Sequence, residues 1–550
     1  MQIFDRDAKY NFCKIKNTDN IIGILLDRNI SMLSTIYSCW KNKITYVPID
    51  PHWPIGRIEY IVKENKLETI ITTKEYQHLV SVSNKLIMDK NDVVEFSKSF
   101  PENEISYVIY TSGSTGEPKG VEILRDSLLN FIDGITEIID FSLLKTIACL
   151  SSATFDIFFV ESILALEKGL TIVLANYKEQ HNPILMSKLL KQNSVEIIQI
   201  TPSMMQMLLN YDKDLLCLKK VKVIMIGGEP LSEKLLQILQ EKTTSKIYNM
   251  YGPTETTIWS TISDLTNKKV VDIGVPIKNT KIYIIDDKFS VLPYGEIGEI
   301  CIAGKGLARG YVGKFDLTKE KFICLQQKSN IKIYRTGDVG RFLDDGNLEY
   351  LGRLDNQYKI RGHRIELEEI EAYISKFKGI NQAIVIVTET NDNGKVLQAY
   401  YTGEAIIDPT ELKNYLSERL PEYMIPITYK QVEQFFYTIT GKIDRKRVTE
   451  CIGINSQAKT RRYLPVEEYN EVQIRVFDII VSNLNSKLVD NITPKKTLSE
   501  LGIDSIVFVK IIVNLEKEFN ISFDENIMIS SAFSNIEELM IYVDTIIKNK

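Results

Sequence analysis

From Ile21 to about Leu351 the chain alternates apolar runs of strand length with stretches of helical period. That alternation marks an α/β architecture built on parallel sheet. Residues 69–72, 170–174, 195–200 and 221–226 read as such strands. Glycines gather between Gly295 and Gly313, which suits short strands joined by tight turns. A smaller α+β unit follows and extends to about Arg447, with strands near 382–388 and 396–401. The stretch 451–465 is polar and basic, lacks apolar period and reads as a linker that could reach roughly 50 Å if extended. Residues 466–550 switch to dense helical patterning, clearest at 506–519 and 536–547, and are expected to form a small helical domain.

Composition narrows the function class. A chain of 550 residues with 44% apolar content can bury several cores. Its 25% charged residues and net charge of −5 give no electrostatic reason to expect nucleic acid or an anionic membrane as partner. The 7 cysteines stand far apart with no C-x-x-C pair, so they read as reduced core thiols, not disulfides or zinc ligands. None of the 4 histidines sits at metal-ligand spacing from another, and no G-x-S-x-G elbow appears, so a Ser-His-Asp hydrolase finds little support. There is no apolar run of about 18 residues and no basic-then-apolar N-terminus; a soluble, cytoplasmic protein is expected.

Chemistry concentrates first in a hydroxyl- and glycine-rich stretch: Thr111, Ser112, Gly113, Ser114, Thr115 and Gly116, closed by Lys119 and Gly120. Glycines let the backbone approach a ligand and turn its N–H groups inward. The hydroxyls add donors, and Lys119 supplies a cation for phosphate oxygens. Residues 105–110 read as a short buried strand, so the loop leaves a strand end, where α/β folds place phosphates. Lys-Ser/Thr does not follow the second glycine at Walker spacing. A phosphate-binding loop of another kind is expected, in preference to a flexible linker.

Further motifs follow in order: Asn249-Met250-Tyr251-Gly252-Pro253-Thr254-Glu255, then Tyr334-Arg335-Thr336-Gly337-Asp338, then Gly352-Arg353-Leu354-Asp355-Asn356-Gln357, then Thr440-Gly441-Lys442. Together with the loop they resemble the adenylation domain of nonribosomal peptide synthetases, within the adenylate-forming superfamily, over residues 21–450. The resemblance implies that superfamily's fold: a large α/β subdomain with a β region at 1–354 and a small α+β subdomain at 355–450. The linker would be 451–465 and a helical carrier-protein bundle would occupy 466–550. Residues 1–20 lack the strand–helix unit that normally precedes the segment at Ile21 in that family, so a shortened N-terminal edge is expected.

Roles follow from the resemblance residue by residue. Thr111, Ser112, Gly113, Ser114, Thr115, Gly116 and Lys119 would hold the β- and γ-phosphates of ATP, with Thr115 and Lys119 also catalytic. Glu255 would be the Mg²⁺ carboxylate, a hard ligand for a hard cation. Tyr251, Gly252, Thr254 and the turn Gly228-Glu229-Pro230 would surround the adenine; Asp338 would accept the ribose hydroxyls beside Arg353. Lys442 would reach the substrate carboxylate and α-phosphate, and Asp355 would be the hinge of the small subdomain. Phe155 and Asp156 resemble the family's pocket motif, with Asp156 pairing the α-ammonium of an amino acid. An unpaired carboxylate in an apolar pocket is costly, so a cationic partner is implied. The remaining wall is expected to be Ile157, Val160, Gln199, Ile224, Ile226, Met250, Ile258 and Trp259, which suits an apolar or weakly polar substrate side chain.

Near the C-terminus, Leu501-Gly502-Ile503-Asp504-Ser505-Ile506 resembles the attachment site of peptidyl carrier proteins, with Ile503 where a glycine is common. Ser505 would carry 4′-phosphopantetheine, placed there by a phosphopantetheinyl transferase, at the positive end of a helix dipole. The implied function is amino-acid activation by MgATP followed by thioester loading of the chain's own carrier. Condensation or other synthetase domains would act in trans. The alternatives are a fatty-acyl or aryl-acid adenylating ligase, against which Asp156 argues, and a non-catalytic carrier module with a degenerate adenylation part. The joint presence of Lys119, Glu255, Asp338 and Lys442 argues against the second.

Overall fold

The computed structural model describes residues 11–15, 21–89, 92–96, 104–113, 117–325, 330–355, 357–360, 362–390, 394–403, 407–432, 434–435, 445, 448, 469–484, 492–498, 501, 503, 505–519, 521, 523 and 533–548. They form two compact units, the first ending at Ile365 and the second beginning at Glu366. The division falls after the segment 352–362, whose described residues thus pack with the first unit. Ser114, Thr115, Gly116, Lys442, Asp504 and the linker 451–465 lie outside the described residues.

Two mixed seven-stranded sheets organise the first unit. One runs Gly310–Tyr311, Lys119–Leu124, Ile105–Thr111, Thr45–Ile49, Ile21–Leu25, Thr69–Thr72, Asn84–Ile87. The other runs Thr171–Leu174, Thr146–Cys149, Ile197–Ile200, Val223–Gly227, Lys246–Tyr251, Thr261–Asp264, Val275–Pro276. Its first five strands are parallel, as expected from sequence, and its last two are added antiparallel. Because both faces are covered, these strands read as unbroken apolar runs, and alternate residues fall into separate cores. Ile197, Val223, Met225 and Tyr248 enter one core; Ile198, Ile200, Ile224, Ile226 and Ile247 enter the other.

The loop that begins at Ser112 does not lead into a helix. Lys119 opens a strand that returns antiparallel on Ile105–Thr111, with Thr111 opposite Lys119, so the loop is a hairpin tip. The glycine-rich region forms a five-stranded antiparallel sheet: Thr280–Ile285, Gly298–Gly304, Ile331–Phe342 and Phe322–Leu325, with Leu348–Arg353 also on Ile331–Phe342. At the N-terminal side, Asn11–Ile15 pairs in parallel with Asp92–Phe96.

The second unit contains the sheet Ile380–Thr390, Gly394–Gly403, Thr428–Gln431 with helices Leu367–Ser375 and Pro409–Ser417. It also contains helices Glu471–Ser482, Ser505–Phe519 and Ile536–Lys548. Asn470 and Gln473 form a capping box on the first of these three. Phe477, Ile480, Phe508, Ile511, Leu515, Leu539 and Val543 are buried at helical spacing, as the sequence pattern requires. Among the described residues Cys39, Cys149, Cys217 and Cys301 are buried free thiols, whereas Cys324 is exposed. Among those residues no helix is long and apolar enough to cross a membrane.

Candidate active site

Glu255 stands in the turn Thr254–Thr256 that follows the Lys246–Tyr251 strand, and it is fully buried. A carboxylate removed from water needs cations and donors around it. Arg364 Nη1 donates to Oε2 at 2.7 Å and the Tyr311 hydroxyl to Oε1 at 2.8 Å. Lys119, itself buried, holds its ammonium 5.4 Å over the Tyr311 ring and acts electrostatically on the same carboxylate. Burial drives the Glu255 pKa up, but Arg364, then Lys119 and the Tyr311 hydroxyl, outweigh it and leave it at about 2. Ser112 Oγ donates to the Arg364 carbonyl at 2.7 Å, which ties the start of the hairpin loop to this cluster. Thr111 Oγ1 is buried and has no hydrogen-bond partner among the described residues.

A second cluster is assembled across the antiparallel sheet. Asp338 and Arg353 are register partners, and Arg353 Nη1 donates to Asp338 Oδ1 at 2.6 Å. The Tyr251 hydroxyl donates to Asp338 Oδ2 at 2.7 Å. Each Asp338 oxygen keeps a further lone pair, so the carboxylate can still accept from two hydroxyls. Arg353 also forks onto Asp355, Nε to Oδ1 at 2.6 Å and Nη2 to Oδ2 at 2.8 Å. Burial would raise the Asp355 pKa; the Arg353 fork wins and lowers it. Gly337, at φ 72°, leaves room for that guanidinium, since a Cβ there would sit 2.8 Å from Arg353 Nη2. In the turn Gly228-Glu229-Pro230, Glu229 Oε2 accepts from Ser203 N at 3.0 Å and Ser203 Oγ at 2.6 Å, and Oε1 accepts from Gly362 N. Gly252 leaves the strand end where the backbone of Ile258 and Trp259 passes close by.

Asp156, only 8% exposed, lies in the loop before Val160–Leu164. Burial raises its pKa; hydrogen bonds from the Thr254 hydroxyl and the Ile157 amide, and the more remote Lys359 charge, offset part of that rise. Among the described residues no cation makes an ion pair with it. Phe155 packs edge-on against His363 at 4.7 Å. Val160, Gln199, Met250, Ile258 and Trp259 are all buried, and Ile157 packs against the core that contains Val160, Met250, Ile258 and Trp259. Ile224 and Ile226 are not in this wall. The strand's two-residue period turns both into the opposite core, whereas Met225 joins the core that holds Trp259 and a Cβ on Gly227 would meet the indole.

The sequence profile of the AMP-binding enzyme family matches residues 13–312. The chain belongs to that family. A second profile, the phosphopantetheine attachment site, matches 475–543 of this AMP-binding enzyme. It is 37% identical over 443 residues to the dimodular nonribosomal peptide synthase of Bacillus subtilis (strain 168), an alignment covering 78% of this chain and 18% of that protein. The chain thus spans under a fifth of that relative's length. Among solved structures, it resembles a holo four-domain nonribosomal peptide synthetase bound to AMP and glycine at 30% identity and a TM-score of 0.56, covering 98% of this chain and 39% of that one. It shares the fold of a holo protein with adenylation and PCP domains, at 21% identity and a TM-score of 0.76, covering 96% of this chain and 88% of that one.

Several residues that shape this enzyme's site carry no sequence signal that singles them out. Arg364 lies beyond the motif that opens at Gly352, yet nothing local announces a partner 109 residues away. Tyr311 is one aromatic in a glycine-rich stretch, and its hydroxyl becomes a Glu255 donor only once Gly310–Tyr311 joins the sheet edge.

Proposed function

We propose that this AMP-binding enzyme activates an amino acid and loads it onto its own carrier. The substrate carboxylate oxygen attacks the α-phosphorus of ATP, the bond to the bridging oxygen breaks, and pyrophosphate leaves. The phosphopantetheine sulfur on Ser505 then attacks the carbonyl carbon of the aminoacyl-AMP and AMP departs, leaving a thioester.

The observation that carries this reading is Asp156: a buried carboxylate, raised in pKa by burial, with no ion-pair cation among the described residues. An α-ammonium supplies the missing charge; a fatty or aryl acid has none to offer. Asp338, braced by Arg353, would take the ribose hydroxyls, with Tyr251, Gly252, Thr254 and the Gly228-Glu229-Pro230 turn around the adenine. Thr111, Ser112, Gly113, Ser114, Thr115, Gly116 and Lys119 would hold the phosphates, and Thr111 Oγ1, with no hydrogen-bond partner among the described residues, suits that use. Glu255 fits Mg²⁺, because it is ionised and one carboxylate plus substrate phosphates is the usual set for that cation. When bound, Mg²⁺ supplies neutralising charge for the departing pyrophosphate. Lys442 would meet the carboxylate, Asp355 would serve as hinge, and a phosphopantetheinyl transferase would prime Ser505. Other synthetase domains would be its partners, in the cytoplasm. The 30%-identical synthetase solved with AMP and glycine lends support by analogy.

A pyrophosphate-exchange screen over the common amino acids, with fatty and aryl acids beside them, tests the reading. Asp156→Ala is expected to lower kcat/KM for the preferred amino acid ten- to a hundredfold, the scale of one charge-assisted contact worth about 1.5–3 kcal/mol. The KM for ATP should stay close to wild type. Exchange driven by a fatty or aryl acid, or an Asp156→Ala enzyme with undiminished kcat/KM, would reject it.

A further inference from the structure

Trp259 is fully buried, the largest side chain of the wall expected around the substrate, and the fold pins it at both ends. Its indole N–H donates to Gln199 Oε1 at 3.0 Å. Gln199 gives both Nε2 protons to the protein, one to the Ile157 carbonyl at 2.9 Å and one to Glu161 Oε1 at 3.0 Å. Glu161 is fully buried and anchored in turn by Leu150 N at 2.7 Å, Ser151 N at 2.8 Å and Ser151 Oγ at 2.6 Å. Gln199 therefore has no proton left for a ligand. Its acceptor holds the indole.

The far edge of the ring reaches the neighbouring strand. A Cβ built on Gly227 would stand 3.0 Å from Trp259 Cη2 and 2.4 Å from the Met250 carbonyl. Gln199 is the register partner of Met225, so the indole spans from one strand to the end of the next. Thr257 and Ile258, just before Trp259, adopt left-handed φ values of 66° and 68°. Such backbone in β-branched residues costs about 1–3 kcal/mol each and persists only where the surroundings enforce it. Val160, Met225, Met250 and Ile258 are all buried in the same core as the ring. The carbonyl that accepts from Gln199 belongs to Ile157, directly after Asp156, so the anchoring carboxylate and the filled wall are one residue apart.

We propose that the amino acid this pocket takes is glycine, with Trp259 the residue that excludes side chains and Gln199 the residue that positions it. The assignment rests on the amino-acid reading above. With the α-ammonium on Asp156, a side chain on Cα would have to enter space the indole fills.

Pyrophosphate exchange with glycine, alanine, valine and leucine reads this directly. Wild type is expected to favour glycine over alanine by roughly 10–200-fold in kcat/KM, the range for one methylene in a fitted pocket, with larger side chains poorer still. Trp259→Ala should lower activity with glycine and raise kcat/KM for valine or leucine by at least about tenfold on the same scale. Since that truncation hollows a core, Trp259→Phe and Gln199→Leu are measured beside it. In both, the glycine-to-alanine ratio should fall while the KM for ATP holds, a split that general loss of structure would not give. A wild-type preference for alanine, valine or leucine, or variants that keep the wild-type ratio, would overturn the glycine assignment and leave amino-acid activation standing. Exchange with no amino acid at all would overturn both.

Discussion

Ser505→Ala is expected to abolish aminoacyl loading of the protein while pyrophosphate exchange continues at the wild-type rate. Adenylation needs no thiol, so Ser505 serves the loading step alone. Glu255, Asp338 and Asp156 belong to the first unit, while Ser505 opens the Ser505–Phe519 helix of the second. Free N–H groups and the positive end of the dipole make a helix start favourable for a phosphodiester. That helix is secured by Phe508, Ile511, Ile512 and Leu515, all buried, so removing one hydroxyl at its first residue leaves the bundle's core intact. Intact-mass spectrometry after incubation with coenzyme A and a broad-specificity phosphopantetheinyl transferase should label wild type once and Ser505→Ala not at all. A labelled Ser505→Ala protein, or an unlabelled wild type beside a working control carrier, would remove the carrier role and leave an adenylating enzyme with a helical tail.

What could be read from the sequence, and what could not, divides along physical lines. Strand positions were legible because doubly buried strands are long Ile- and Val-rich runs; Thr69–Thr72 falls where the pattern put it. The same property hid the phase. Val223–Gly227 has no polar face, so nothing local says which alternate residues enter which core, and Ile224 and Ile226, expected in the pocket wall, fall in the core opposite to Met225. The return strand Lys119–Leu124 was missed because a short run with glycine and glutamate looks like loop until it pairs. Asp156, Glu255 and Asp338 stand out in the sequence because they sit in ordered motifs. The Glu255 partners Arg364 and Tyr311 do not, since long-range ion pairs and hydroxyl donors leave no periodic trace.

Arg364→Met is expected to cost the first unit about 3–5 kcal/mol at neutral pH, the usual penalty for removing one member of a buried charge pair. The partner left behind is Glu255, fully buried, with the Tyr311 hydroxyl and the more distant Lys119 as its remaining support. Burial raises the pKa of that carboxylate, and Arg364 is the first of the groups that bring it down from 4.5 to about 2. In the wild type the folded pKa lies below the unfolded one, so the contribution of Glu255 is complete above about pH 4.5 and fades as pH falls towards 2. Without Arg364, burial dominates and the folded pKa rises above the unfolded value. The sign then reverses: the variant is favoured while Glu255 is protonated and loses stability as pH rises through the raised pKa. The gap between wild type and Arg364→Met should therefore be small near pH 3 and widest at neutral pH, measured by urea unfolding across that range. Arg364→Met with Glu255→Gln removes both charges and should recover most of the neutral-pH loss, because a neutral pair of similar shape avoids the buried ion. A double variant no more stable than Arg364→Met, or a gap that does not change with pH, would mean that the Arg364 guanidinium is not what keeps Glu255 ionised inside the fold.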